Sequence, residues 1–373
     1  MDIKVRNELA QYKDHPAFYG VMLGDEPTYH NAYCYGELYK SIKRVMPTCY
    51  VQYNLNPLQD SSSDMIKFYY SGEKYSSPTE AQSEAAYKSY VRAFIDSMGI
   101  DYIQYDDYPF KSAEEGFLFW TETVPYVDQT ALRNLQIVAE IAKEKGIAVK
   151  VVTQSCLMHT GGEDGPVHIR QITESDARWL NNYLMGFGVT QINYFTYWTK
   201  ASNSSKGEWY DDGGSFVNKN GTTTAVYNFM KTIMADNTAF APTISHFSYN
   251  ESQAMGDNTN GNLNNDHINW GGELKVAKNF KWLSSVSESK GNGYVLVTEL
   301  YDADKYNYMY MFMNTVDTYY GGQQSVTVTL ASNVTKFYVY DQSGSRTLVE
   351  GNTYTATLNA GQAFYIMPCA FAN

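Results

Sequence analysis

The chain has 373 residues, 43% of them hydrophobic and 18% charged, which is enough apolar material for a packed core and too much length for one ordinary domain. Its 28 basic and 40 acidic side chains give a formal charge of −12, which argues against general nucleic-acid binding. No run approaches the roughly 18 apolar residues of a membrane-spanning helix, so no membrane partner is expected.

In chain order, alternation of apolar and polar residues predicts strands over 17–24, 49–55, 101–106, 148–154 and 190–198. Amphipathic spacing predicts helices over 35–45, 80–98, 129–145, 176–187 and 223–237, and Gly99 and Gly146 act as stop signals. This βα rhythm predicts an α/β domain with a parallel sheet over residues 1–245. After about residue 245 the helical period disappears. Residues 250–269 are rich in Asn, Gly, Ser and Asp and predict a loop, and six β-patterned runs between 293 and 367 predict a C-terminal antiparallel β-sandwich over 246–373.

Cofactor signatures are missing from this text. No G-x-G-x-x-G or Walker sequence follows the first strand, Cys34, Cys49, Cys156 and Cys369 form no C-x-x-C pair, and the six histidines have no ligand spacing, so neither cofactor nor metal is expected. The first six residues, Met1 to Arg6, lack an apolar signal core; the text as written predicts a cytoplasmic protein, and a removed signal peptide would make it a secreted one. The 34 tyrosines offer flat faces with hydroxyl tips, which suit stacking on sugar rings as well as strands and interfaces.

In a barrel, strand side chains alternate between the helices and the lumen, and chemistry gathers at the C-terminal strand ends. Strict alternation puts Met22 and Glu26 of the first strand inward, as it does Gln52, Asn54 and Asn56 of the second. It does the same for Gln104, Asp106 and Tyr108 of the third and for Val152 and Gln154 of the fourth. One rim then carries Glu26, Asn54, Asp106 and Gln154. Asp25 and Asp107 flank the two acids, and Tyr194, Tyr197 and Trp198 are candidates for a stacking platform. Two carboxyl groups at such a rim suit glycoside hydrolysis, amides suit sugar hydroxyls, and an oligosaccharide is the expected partner.

At these residues the sequence resembles a known group. The run 18–27, Phe-Tyr-Gly-Val-Met-Leu-Gly-Asp-Glu-Pro, resembles the acid-bearing fourth strand of clan A glycoside hydrolases, above all family 42 β-galactosidase-like proteins. Residues 101–109 look like strand six of that group, and residues 191–198 like its last strand. The resemblance covers about residues 10–245 and implies a TIM-barrel-like domain of about five βα units, similar to strands four to eight, without the first three. It implies Glu26 as general acid and Tyr108 as the tyrosine that steadies the nucleophile. The chain departs from the group where strand seven should end in a glutamate and offers Gln154, which cannot be a glycosidic nucleophile. Asp106 takes the second role, or Glu163 reaches in from the loop near His159, or the protein is a non-catalytic sugar binder. An open sheet exposes edges that natural proteins cover, so a second subunit or the β-sandwich is expected to close the gap, and a homo-oligomer is expected.

Overall fold

The computed structural model describes residues 1–58, 78–112, 126–160, 167–202, 208–257, 280–288 and 293–369. By packing, these divide into two compact units, one made of Met1–Asp107 with Arg133–Val152 and the other of Tyr108–Leu132 with Thr153–Asn373. The change of texture near residue 245 falls within the second unit.

The first unit is built from α1 (Asp2–Leu9), β1 (Gly20–Asp25), α2 (Ala32–Val45), β2 (Tyr50–Asn54), α3 (Glu80–Met98), β3 (Tyr102–Asp107), most of α4 (Gln129–Lys145) and most of β6 (Ala148–Gln154). β1 pairs with β2 in parallel, Gly20 opposite Tyr50 and Met22 opposite Gln52. A parallel bridge between Leu55 and Tyr105 carries the row to β3, which lies beside β6. The helix-facing side is apolar: Val5, Ile42, Cys49 and Val51 are buried against Val21 and Leu23. Tyr19, which alternation assigns to the same apolar set, precedes β1 and is 77% exposed. The opposite, inner face carries Tyr50, Tyr102 and Lys150, whose ammonium sits 3.7 Å from the Tyr102 ring centre and donates to the Tyr50 hydroxyl at 3.0 Å.

α3 shows why its span was legible. Thr79 and Gln82 form a capping box at its start, Gly99 ends it with φ +67°, and Tyr87, Tyr90, Val91, Phe94 and Met98 bury one face. Each such burial stabilises the unit by roughly 1.5–3 kcal/mol. Arg133 on α4 grips Glu84 on α3 through two bonds of 2.5 and 2.7 Å, and holds its carboxyl below the usual range.

In the second unit, β4 (Phe110–Lys111), β5 (Tyr126–Val127), β7 (Met158–Thr160), β8 (Val167–Ile169) and β10 (Glu208–Tyr210) form a small sheet in the order β10-β7-β8-β4-β5. Helix α5 (Glu174–Gly186) is buried from Asp176 onward except at Arg178. Its Trp179 indole donates to the Thr315 carbonyl and its Asn182 amide to that of Gly361, and a Cβ on Gly186 would lie 2.2 Å from Met311. β9 (Val189–Phe195) and α6 (Ala225–Ile244) follow.

The remaining strands are β11 (Ser248–Asp257), β12 (Leu283–Ser287), β13 (Gly293–Asp302), β14 (Asn307–Asn314), β15 (Gln323–Leu330), β16 (Lys336–Tyr340), β17 (Arg346–Glu350), β18 (Thr353–Asn359) and β19 (Ala363–Pro368). They form two antiparallel sheets, β11-β13-β14-β19-β16-β17 and β12-β15-β18, around one core that includes Val297, Phe312, Val328, Leu358 and Ile366. The predicted loop over 250–269 is corrected in its first part: residues 248–257 run as an edge strand along β13, where one side of the ladder is open and polar residues cost little. Residues 258–279 lie outside the described residues. Among the described residues, no helix is long and apolar enough to cross a membrane.

One buried ion cluster ties α5 to the segment after β14. Arg170 contacts Asp176 and Asp317, both at 2.9 Å, with all three side chains at 10% exposure or less. Asp176 also accepts from the backbone and hydroxyl of Thr173, capping α5, and Asp317 accepts from the Tyr319 backbone N–H. Burial raises the Asp317 carboxyl above its ordinary range even with Arg170 beside it. Arg170→Met strands two buried carboxylates and is expected to cost about 3–5 kcal/mol in urea unfolding. A loss under about 1 kcal/mol would mean that the cluster does not hold this region together.

Candidate active site

The site begins with a register shift in β1. Met22 stands opposite Gln52 but Asp25 opposite Asn54, so three steps in β1 match two in β2. Side chains alternate with a period of two, and one extra residue therefore exchanges the faces of everything after it. Asp25 shares a face with Asn54, and the Asn54 amide donates to its carboxylate at 3.0 Å. Gly24 sits within the shift, where a Cβ would come 2.1 Å from the Tyr35 hydroxyl.

Glu26 then leaves the alternation altogether. Its φ is +43°, an uncommon value for a non-glycine residue, and its backbone N–H extends the ladder by donating to the Asn54 carbonyl at 2.9 Å. Pro27 follows, and its carbonyl is held by the buried Tyr90 hydroxyl at 2.7 Å. The strict alternation that selected Glu26 thus does not run through the shift; the residue reaches the strand end by a left-handed turn.

β2 and β3 supply the neighbouring groups. Asn54 and Asn56 are buried, and the Asn56 backbone N–H donates to the Tyr90 hydroxyl at 3.1 Å. Asp106 is buried at 7% exposure. Gln104 is fully buried, and neither atom of its amide makes a hydrogen bond among the described residues; the same holds for the side-chain oxygen of Asn54. Such groups are rare in native proteins and call for an explanation. Asp107 turns away from this set: Asn134 of α4 donates to it at 3.3 Å, so consecutive acids in β3 serve opposite faces.

In the second unit, Gln154 is fully buried and its amide is engaged by backbone. It accepts from the Phe110 N–H at 2.7 Å and donates to the carbonyls of Phe110 and Arg170, both at 3.3 Å. This explains why a glutamine stands where the resemblance leads one to expect a glutamate, since a carboxylate has no proton for two carbonyls. Tyr108 packs on Phe195 at 5.7 Å beside Cys156, Ile169 and Tyr210. Tyr194 is edge-on to Phe216, and burial raises its phenol above the ordinary range. Tyr197 stacks on Phe216 at 5.8 Å, and with Trp198 it stays exposed, at 56% and 60%. Glu163 lies outside the described residues.

The two units therefore divide the residues selected from sequence. Asp25, Glu26, Asn54, Asn56, Asp106 and Asp107 belong to the first, and Tyr108, Gln154, Tyr194, Tyr197 and Trp198 to the second. Gln104 was absent from the selection, although its inner-face position was readable from alternation; its unpaired amide was not. Among the described residues no cluster of three or more His, Cys, Asp or Glu side chains could hold a metal ion.

Gln154→Glu places a buried charge against two carbonyl oxygens. It is expected to lower stability by about 1–3 kcal/mol for the lost bonds, more if the charge is retained, with no gain in hydrolysis. A variant as stable as the parent in urea unfolding would show that the amide is not structural.

No protein-family model matches the chain, and no curated protein sequence matches it. Solved structures similar to it include glycoside hydrolases. A glucosidase from Croceicoccus marinus is 11% identical, with a TM-score of 0.36 over 100% of this chain and 73% of that one. An α-galactosidase I from Mortierella vinacea is 10% identical, with a TM-score of 0.35 over 90% and 71% of the two chains. A candidate α-L-fucosidase from Bacteroides thetaiotaomicron is 11% identical, with a TM-score of 0.35 over 52% of each, so the chain spans about half of that protein's length.

Proposed function

We propose that the protein is a glycoside hydrolase that acts on short oligosaccharides as a β-galactosidase-like exo-enzyme, with Glu26 as general acid and Asp106 as the second carboxylate. The observation that supports this reading is that, within one unit, acids stand at the ends of β1 and β3, the strands on either side of β2 with its buried Asn54. General acid chemistry needs a carboxyl group that keeps its proton until the leaving oxygen takes it; the opposing carboxylate then attacks, or activates water. A carboxyl separation of about 5 Å implies retention of configuration, and roughly 6.5–9.5 Å implies inversion. Exposed Tyr197 and Trp198 suit stacking on a sugar ring. The same reading treats the parallel row as the counterpart of barrel strands four to eight, with the open edge of β1 covered by a second copy of the chain.

A second reading, a sugar binder without turnover, is favoured by one observation: the backbone-locked Gln154 stands where the resembling group carries its nucleophile. A panel of nitrophenyl glycosides separates the two. Glu26→Gln is expected to lower kcat by about 10²–10⁴-fold, as loss of a general acid does, with folding and sugar binding retained. Unchanged turnover in that variant overturns the assignment, and no turnover of any glycoside by the parent protein, with sugar binding intact, establishes the second reading.

A further inference from the structure

The six-stranded sheet of the sandwich ends on β17, and that edge differs from the other sandwich edges. β11 and β12 carry register shifts, at Tyr249–Glu251 and Leu283–Ser285, and such irregularities turn an edge away from further pairing. β18 shows solvent the threonines Thr353, Thr355 and Thr357. β17 instead follows β16 without a break, from Lys336 opposite Glu350 to Tyr340 opposite Arg346, and its central Leu348 is 47% exposed. A regular edge with an exposed aliphatic residue at its middle is a template for another strand.

The ladder fixes which groups that template offers. Gly351 donates its N–H to the Thr335 carbonyl and Asp341 its own to that of Ser345, so the bonded pairs of the hairpin are the odd-numbered ones. Thr347 and Val349 therefore direct their backbone groups to β16, while Arg346, Leu348 and Glu350 turn theirs outward. The same three residues share a side-chain face, with Arg346 over the Tyr338 ring at 4.9 Å and Glu350 beside the Lys336 ammonium at 3.3 Å. Along that face the strand reads positive, apolar, negative, an order that complements itself when reversed. A copy of β17 laid antiparallel about a two-fold axis at Leu348 sets Arg346 opposite Glu350 and Leu348 opposite itself. Each of these pairs exchanges both backbone bonds, and on the other face Thr347 meets Val349. A symmetric interface requires one surface to complement itself, which is the argument for a second copy over an unrelated strand.

We propose that β17 is a homodimer edge that pairs antiparallel with β17 of a second copy about Leu348, joining the two six-stranded sheets into one. This edge lies in the second unit and the open edge of β1 in the first, and the proposal does not depend on the glycosidase reading. The test is sedimentation velocity of the full chain over a micromolar concentration series. An edge of this length buries less than a standard interface, so the parent is expected to self-associate weakly and reversibly. Arg346→Glu turns both ion pairs of the dimer repulsive and is expected to weaken association by about tenfold or more, and the double variant Arg346→Glu with Glu350→Arg is expected to restore it. Leu348→Lys sets two like charges face to face on the axis and is expected to abolish pairing through this edge. All three positions are exposed, so the variants are expected to melt as the parent does at concentrations where each is monomeric. A parent that stays monomeric, its edge left to another protein or to none, overturns the proposal. So does association that Arg346→Glu or Leu348→Lys leaves unchanged, which puts the contact elsewhere, as at β1, or failure of the double variant to restore it.

Discussion

Everything at the candidate site depends on one extra residue between Met22 and Asp25. A strand has no freedom to choose a face for each side chain; the pleat imposes it, and an inserted residue is the one simple way to change it. Here the insertion brings Asp25 onto the face of Asn54, and the left-handed Glu26 carries the chain over the strand end with its N–H still in the ladder. The accommodation is local: a glycine at position 24 and an unusual backbone angle at Glu26.

In the second unit one polar cluster joins several elements. Gln154 stitches the backbones of Phe110 and Arg170 together, Arg170 stacks at 5.0 Å over the Phe110 ring, and its guanidinium binds the acids of α5 and the segment after β14. Each of these groups is engaged by protein partners. Elsewhere both units retain unpaired amide atoms in buried positions, at Asn54 and Gln104 in the first and at Asn193, Gln253 and Gln324 in the second, where unpaired atoms are destabilising.

Much of this architecture was legible in the residues. The spans of α3, α4 and β6 follow from apolar periodicity with glycine stops, because these elements are long enough for the pattern to repeat and their buried faces are continuous. The short strands β4, β5, β7, β8 and β10 were not legible, since runs of two or three residues carry no period and their partners lie far away in sequence. At the site, the acids and Asn54 could be picked out by type and spacing, but alternation has no symbol for a register shift and so passed over the facing of Asp25. Nor could it tell that Gln154 would be consumed by backbone, or that Asp107 would be drawn off by Asn134, because both depend on partners from other elements.

The most direct measurement is a crystal structure of the Glu26→Gln protein soaked with a short oligosaccharide. The account predicts the sugar at the C-terminal ends of β1, β2 and β3, hydrogen-bonded to Asp25 and Asn54, with the glycosidic oxygen within reach of residue 26. A saccharide bound only on the β-sandwich, with the strand ends of the first unit empty, would contradict it.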